Sequence, residues 1–485
     1  MPTAALPKTP NDLLYEQIAQ RIIALINGGT LRVGQRVPSV RKLSEQMAIS
    51  VSTVLQAYRL LERRGRIEAR PQSGYYVRAV AHPRLPTPGL SKPPSTPTKV
   101  RIVDRVLGVL RATSDPSYVP LGGAIPGADV LPTKQLNRIQ SAIARRSPRA
   151  SNAYDGPSGN RELRVQVAHR YLDAGCALAP DDIVSTCGCQ EAITLSLRVV
   201  AKAGDVIAID SPAYYGHLQA IESLGMRALE IATCPDVGID VPALKTALAQ
   251  HKVAAVLSIT NCQNPLGFIM PDEQKRELVE LLAARDIPLI EDDIFGDLAY
   301  ARPRPRVCKA YDTKGLVLLC SSYSKTLAPG ARVGWVAPGR YRERVECLKI
   351  CTTLATPTLP QMAIAEFLAN GGYDQFLRRA CATYAEQTRL VSQAVRKYFP
   401  TGTKVTDPAG GYVLWVEMPP RTDALALHER ALKEKINVAP GPIFSSKGKY
   451  ANFVRINCGN PYTDEIDRAL LTLGRLASDL SHSVS

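Results

Sequence analysis

Four residues, Ser322-Tyr323-Ser324-Lys325, close a short apolar run and leave a lysine where it can act as an amine nucleophile toward a carbonyl group. Other such runs are followed by Gly188-Cys189-Gln190, by Pro212-Ala213-Tyr214, by Asn264-Pro265-Leu266-Gly267 and by Asp292. These are the parts that pyridoxal 5'-phosphate needs. Lys325 can form a Schiff base with its aldehyde, a carboxylate can keep its pyridine nitrogen protonated so that the ring draws electrons, and an amide can hydrogen-bond the ring oxygen. An arginine, hydroxyls and a helix amino terminus can hold the phosphate, with a planar aromatic stacked on the ring. Each residue alone also has a plainer use: Asn264 in an N-P-x-G turn, Asp292 as a helix cap, Tyr214 as core.

The elements that must position these residues are β-branched runs separated by helical stretches, at 182–186, 205–210, 253–260, 287–291 and 316–320. The alternation predicts a mostly parallel sheet wrapped by helices, in which ligands gather beyond the carboxyl ends of the strands. Asn264, Asp292 and Lys325 follow one another at about 30 residues, the length of a βαβ step, so they can converge on one site.

A different chemistry occupies the amino terminus. Residues 1–80 hold ten Arg and two Lys against four Glu and one Asp, a net +7 within a chain of net +16. Such a basic excess points to an anionic partner such as nucleic acid. Leu14, Ile18, Ile22, Leu25 and Ile26 recur at helical spacing from Asp12 to Asn27. Ser39 can cap a short helix through Met47, and Ser50 or Ser52 another running to about Arg64. Strands at 66–70 and 75–78 then flank Pro71-Gln72-Ser73-Gly74, a turn sequence. Three helices and a hairpin describe a winged helix-turn-helix, whose third helix enters the major groove. Residues 81–100 contain six prolines and no acidic residue, which predicts an extended spacer between a domain at 11–80 and a larger one at 101–485.

The segment from Leu6 to Val77 resembles a GntR-type DNA-binding domain over its full length. Within it, PSVRKLSEQMAISVSTVLQAYRLLERRG is similar to the family's helix-turn-helix. The resemblance makes Arg41, Ser52, Thr53, Arg63, Arg64, Gln72, Ser73 and Gly74 candidate DNA contacts. Family members commonly carry Arg directly before the Ser/Thr pair, whereas Val51 stands there in this chain, so no bidentate guanine contact carries over.

Residues from about 115 to 475 resemble a fold-type I aminotransferase of class I/II, and its fusion to a GntR-type reader is the MocR architecture. The resemblance implies a multidomain protein: a mainly α winged helix-turn-helix with a β-wing, then an α/β pyridoxal phosphate-dependent transferase-like domain with a smaller α+β carboxy-terminal subdomain. In SSYSKTLAPGARVGW it makes Lys325 the Schiff-base lysine, with Ser322, Ser324 and Arg332 near the phosphate. NCQNPLG carries Asn264 onto the ring hydroxyl, IEDDIF sets Asp292 at the pyridine nitrogen, and SPAYYG sets Tyr214 over the ring. TCGCQEAI gives Gly188, Cys189 and Gln190 as the phosphate-facing turn. YDGPSGNRELR gives Tyr154, which reaches the phosphate of a partner subunit. FVRINCG sets Arg455 to grip a substrate carboxylate, unless it pairs with a nearby carboxylate as a structural ion pair. Two positions depart from the family pattern. Phe295 replaces a common Tyr, removing a hydrogen bond to the ring oxygen, and Cys189 replaces a small hydroxyl residue with a poorer phosphate donor.

Eleven cysteines lack C-x-x-C spacing and six histidines form no paired motif, so neither a disulfide framework nor a metal is expected. No apolar run approaches the ~20 residues needed to span a bilayer, so a cytoplasmic protein is expected. The fusion implies a homodimeric transcription regulator that binds double-stranded DNA at repeated half-sites. Its aminotransferase-like domain would sense pyridoxal phosphate or a small amino compound. The alternative is a working aminotransferase acting on an amino acid or amine.

Overall fold

The computed structural model describes residues 14–27, 30–31, 34–70, 73–78 and 85–482. Its contacts divide the chain into two units, one ending at Arg84 and one beginning at Leu85.

The first unit contains α1 (Leu14–Asn27), α2 (Val40–Met47), α3 (Val51–Arg63) and an antiparallel pair, β1 (Ile67–Arg70) with β2 (Gly74–Val77). Ser39 caps α2 by accepting from the Lys42 N–H, and Ser50, not Ser52, caps α3 by accepting from the Thr53 N–H at 3.1 Å. The core joins Ile18 and Ile22 of α1 to Val54, Ala57, Tyr58 and Leu61 of α3 and to Ile67 and Val77 of the hairpin. Leu14 and Leu25 share the helical periodicity but stay exposed, so the apolar stripe of α1 is narrower than its sequence suggests. Asp12, Gln72 and residues 81–84 of the expected spacer lie outside the described residues.

In the second unit the sheet order is β3 (Thr98–Lys99), β7 (Arg227–Cys234), β6 (Val206–Ser211), β9 (Val253–Ser258), β10 (Leu289–Asp292), β11 (Val317–Ser322), β12 (Gly334–Ala337) and β5 (Val184–Thr186). A ninth strand, β8 (Gly238–Ile239), pairs with β7. From β7 through β11 all neighbours are parallel, as the alternation of runs and helices predicts; β12 is antiparallel to both β11 and β5. The central strands β6, β9, β10 and β11 are nearly all buried, which is why their sequences are continuously apolar rather than alternating. A second sheet has the order β13 (Lys404–Val405), β14 (Val413–Glu417), β16 (Phe453–Asn457), β15 (Ile436–Pro440) and β4 (Val119–Leu121). Only the β15–β4 pair is parallel.

Of the expected spacer, the described proline-rich residues from Leu85 onward run along the second unit. The Val405 N–H donates to the Pro86 carbonyl, the Ser91 N–H to the Thr233 carbonyl, and Thr98–Lys99 adds a strand to β7. Proline lacks one donor but keeps its carbonyl, so an extended proline-rich segment can still edge a sheet. Among the described residues no helix is long and apolar enough to cross a membrane.

Candidate functional site

The parallel strands deliver their terminal residues to one end of the large sheet. Lys325 follows β11 in a tight turn, and its half-buried ammonium donates to the Ala124 carbonyl at 2.7 Å. Burial lowers its pKa to about 8, helped by the positive charge of Arg455 and opposed by Asp292. Roughly a tenth of the amine is therefore neutral at pH 7, far more than for an ordinary lysine. The reaction of this amine with an added aldehyde is expected to accelerate with pH through about 8; a midpoint near the ordinary lysine value would contradict the environment described.

Asp292 ends β10. It accepts from His217 Nε2–H at 2.9 Å, from the Ile294 N–H at 3.1 Å and from the Cys189 thiol at 3.4 Å. The carboxylate can only accept, so this contact fixes the protonated nitrogen of His217. Glu291 and Asp293, its neighbours in the sequence, are spent on structure. Glu291 accepts from Thr260 and the Cys308 N–H, and Asp293 from Arg304 Nη2 at 2.6 Å and Asn261 at 3.0 Å.

Ser322 accepts from the Ser324 N–H, and the Ser324 hydroxyl accepts from Arg332 Nη1 at 3.2 Å. Arg332 Nη2 also donates to the Cys187 carbonyl at 3.0 Å. Arg332 thereby stands beside the start of the helix Cys189–Val200, whose free N–H groups favour an anion. Gly188, just before that helix, has φ +86°, and a Cβ there would lie 2.3 Å from Arg332 Nη2. Gly188→Ala is accordingly expected to cost about 1–3 kcal/mol of stability from backbone strain. It should also weaken phosphate-ester binding about tenfold by displacing the guanidinium. Calorimetric titration of the variant with pyridoxal phosphate would check this.

Cys189 departs from the expectation of a phosphate-facing side chain. Its thiol points to Asp292, and burial beside that carboxylate holds it well above the ordinary thiol range, so it remains a neutral donor. Only its backbone N–H remains available to an anion. Gln190 donates to the Gly216 carbonyl at 3.0 Å, next to Tyr214, whose ring meets that of His217 edge to face at 5.5 Å.

Arg455 lies within β16, fully buried. It donates to Asn264 Oδ1 at 3.0 Å and to the Gly122 carbonyl at 2.5 Å, and its guanidinium sits over the rings of Tyr215 and Phe444. It forms no ion pair among the described residues, and its Nε has no hydrogen-bond partner. A buried guanidinium held only by neutral oxygens keeps capacity for a carboxylate. Phe295 packs edge to face on Tyr412 at 5.3 Å, and the Lys325 ammonium lies 5.9 Å from the Phe295 ring centre. Tyr154 is 82% exposed and takes no part in the site of its own chain.

Lys325, Gln190 and Tyr214 line one cavity of about 600 Å³, closed on another side by Gly123, Ala124 and Ile125. The cavity itself offers the Lys325 amine, Gln190 and the Tyr214 ring. Taken with the neighbouring residues described above, which do not line it, the donor set fits pyridoxal phosphate: an amine for the aldehyde, the Asp292 carboxylate for the pyridine nitrogen, and Arg332 with two serines and a helix amino terminus for the phosphate. Three contributors were not singled out from the sequence. His217 lies three residues after Tyr214 on the helix Tyr215–Ser223, one turn on, and that spacing was the available signal. The carbonyls of Gly122 and Ala124 carry no side-chain signal, and only the paired glycines Gly122-Gly123 mark the loop. Among the described residues no cluster could hold a metal ion.

In the first unit, Arg41 is exposed in the first turn of α2, and Ser52 and Thr53 open α3 with both hydroxyls on the Ser50 cap, at 2.8 and 2.6 Å. Arg63 and Arg64 are exposed at the opposite end of the same helix. Ser73 bonds Tyr76, and Gly74 holds φ +101° at the turn end of the hairpin, where a Cβ would press on Arg36.

An α/β domain with this site joined to a three-helix reader defines an aminotransferase-like domain carried with a DNA-binding module. The family model "Aminotransferase class I and II" matches residues 127–473, and "Bacterial regulatory proteins, gntR family" matches residues 14–77. The chain is 40% identical over 460 residues to an uncharacterized HTH-type transcriptional regulator, YjiR, of Escherichia coli, covering 95% of this chain and 98% of that one. Among solved structures it is similar to a multiple substrate aminotransferase from Thermococcus profundus, with 25% identity, a TM-score of 0.73, and coverage of 79% of this chain and 96% of that one. It is also similar to LysN, an α-aminoadipate aminotransferase from Thermus thermophilus, with 26% identity, a TM-score of 0.71, and coverage of 77% and 95%. The chain belongs to the GntR family of DNA-binding transcriptional regulators, in its MocR-type form with an aminotransferase-like domain.

Proposed function

We propose that the large domain binds pyridoxal phosphate and, through it, a small amino compound, and that this binding sets how the regulator holds its DNA. The observation that carries the reading is the half-buried Lys325 amine, with its lowered pKa, in the same end-of-sheet cavity as Tyr214 and Gln190. The cofactor, when bound, supplies an aldehyde that reacts with amines and a ring that accepts electrons. Lys325 is the group that bonds it, and Ser322, Ser324, Arg332 and the turn Gly188-Cys189-Gln190 hold its phosphate. Asp292, oriented by His217, would serve the pyridine nitrogen, Asn264 the ring oxygen, and Tyr214 the face of the ring. Arg455 binds the carboxylate of an amino acid, and Asn264, already its partner, couples that event to the cofactor.

A ligand alters a regulator only if it binds two states unequally, and a homodimer supplies the two states' common frame. The exposed Tyr154 is available to reach the phosphate site of a second copy, and two readers would address repeated half-sites of double-stranded DNA. Arg41, Ser52, Thr53, Arg63, Arg64, Gln72, Ser73 and Gly74 are the residues assigned to those contacts. The protein would work in the bacterial cytoplasm.

The test is the visible spectrum of the protein with pyridoxal phosphate while amino acids and amines are added. A saturable spectral change without release of an oxo acid is the expected result. The second reading, a working aminotransferase, is favoured by the fraction of neutral Lys325 amine at pH 7, which suits proton transfer. Sustained oxo-acid production would select it.

A further inference from the structure

On the second unit lies another cavity, of about 450 Å³, which the site above does not use. Its floor is aromatic: Trp415 stacks on Phe453 at 5.3 Å, and Tyr450 meets both edge to face, at 5.7 and 5.4 Å. Its roof is the 88–92 part of the proline-rich segment. That roof is pinned by the Ser91 N–H on the Thr233 carbonyl, the Thr233 N–H on Ser91 Oγ, and the Lys449 ammonium on the Lys92 carbonyl. Three lysines, Lys92, Lys404 and Lys449, stand around this cavity against one acid, Glu417, which Lys404 already pairs at 3.1 Å. The rim therefore carries an excess of two positive charges over an aromatic interior.

Tyr450 adds a sign that the place is built. It holds φ +65°, a left-handed backbone that a bulky residue adopts at a cost, and its hydroxyl is tied to Ser211 Oγ at 2.7 Å. Ser211 in turn donates to the buried Glu230 at 2.6 Å, which also accepts from Ser445 and Ser446. Strain maintained by a buried hydrogen-bond network holds the aromatic floor in one arrangement.

We infer that this cavity is a second ligand site, one that takes an aromatic carboxylic acid, its ring on Tyr450 and Phe453, which the buried Trp415 backs, and its carboxylate at Lys449 and Lys92. The volume suits a single-ring compound with a short acidic arm. Aromatic walls favour a ring over an alkyl chain, and the excess ammonium charge selects an anion over an amine. The same walls reach the first site. Leu266 lies two residues after Asn264, Pro212 two before Tyr214, and Trp415 pairs directly across from Arg455 between β14 and β16. An acid bound here would fasten the segment that leads back toward residue 84 and press on the strands that carry the cofactor contacts.

Calorimetric titration of the full chain, loaded with pyridoxal phosphate, tests this with 3-phenylpropionate as probe and its uncharged amide as control. One saturable site is expected for the acid, with about tenfold weaker binding of the amide and of the acid to Lys449→Gln, the scale of one charged hydrogen bond. Binding should vanish in Ala451→Trp, which fills the cavity from an exposed position, and should persist in Lys325→Ala. Absence of saturable binding below about 10 mM would overturn the inference. Equal affinity for acid and amide would overturn it as well, and so would loss of binding in Lys325→Ala, which would locate the probe in the first site instead.

Discussion

Lys325→Ala abolishes the visible band that pyridoxal phosphate gives with the wild-type chain, while nonspecific DNA affinity stays within about twofold, because the DNA term comes from phosphate contacts made by the other unit. In the proposed reading the amine is the nucleophile, and among the described residues no other lysine lines its cavity. Non-covalent binding of the phosphate ester should remain measurable, since Arg332, Ser322, Ser324 and the start of the helix Cys189–Val200 are untouched. Stability should not fall with it. A folded-state pKa near 8 against an ordinary value of 10.5 means that the folded state disfavours the charged ammonium, by about 3 kcal/mol at neutral pH. That cost is fully present below pH 8 and disappears as pH rises toward 10.5, where the unfolded chain also loses the proton. Without its cofactor the variant should therefore melt at or above the wild-type temperature at pH 7. A lower melting temperature would mean that Lys325 serves the fold, through its bond to Ala124, more than the site.

Arg63→Ala with Arg64→Ala gives the other large effect, on DNA. Both side chains are exposed at the end of α3, and neither forms an ion pair among the described residues. If each neutralises one DNA phosphate, the slope of log affinity against log salt becomes shallower by about 0.9 per residue. At 0.1 M salt this corresponds to roughly tenfold per contact, so the double variant should bind about a hundredfold more weakly, and nearly alike on every sequence. Fluorescence anisotropy at several salt concentrations reads both quantities. An unchanged slope would remove these two arginines from the interface and leave Arg41 and the hairpin as the phosphate contacts to examine next.

Much of this architecture was legible in the sequence because buried parallel strands announce themselves. The runs at 205–210, 253–260, 287–291 and 316–320 are continuously apolar since both faces are covered, and they became β6, β9, β10 and β11. Their last residues, Asp292 and Ser322, and Lys325 just beyond, were found by position as much as by type. What stayed hidden was of three kinds. Strands β7 and β12 interrupt the simple alternation, and β12 runs antiparallel between strands far apart in the chain, a pairing that no local pattern encodes. His217 acts through a contact across 75 residues to Asp292, and backbone carbonyls at Gly122 and Ala124 receive the two cations without any side chain to reveal it. The proline-rich stretch reads as a spacer by composition, yet its carbonyls and Ser91 find partners on β7 and near β13, which only the fold brings within reach. Cys189 shows the same limit at one residue: its place in the turn was evident, but the direction of its thiol, toward Asp292, depends on how the helix Cys189–Val200 lies against β10.

The most direct test of the central claim joins the two units in one measurement. DNA selected by the full-length protein from a randomised pool would be titrated with that protein, loaded with pyridoxal phosphate, across a panel of amino acids and amines, with the visible spectrum recorded in the same samples. The account predicts at least one amino compound that changes DNA affinity over the same concentration range in which it changes the spectrum, and loss of both responses in Lys325→Ala. A spectrum that responds while DNA affinity stays constant, with oxo acid accumulating, would contradict it and leave an enzyme that happens to carry a DNA reader.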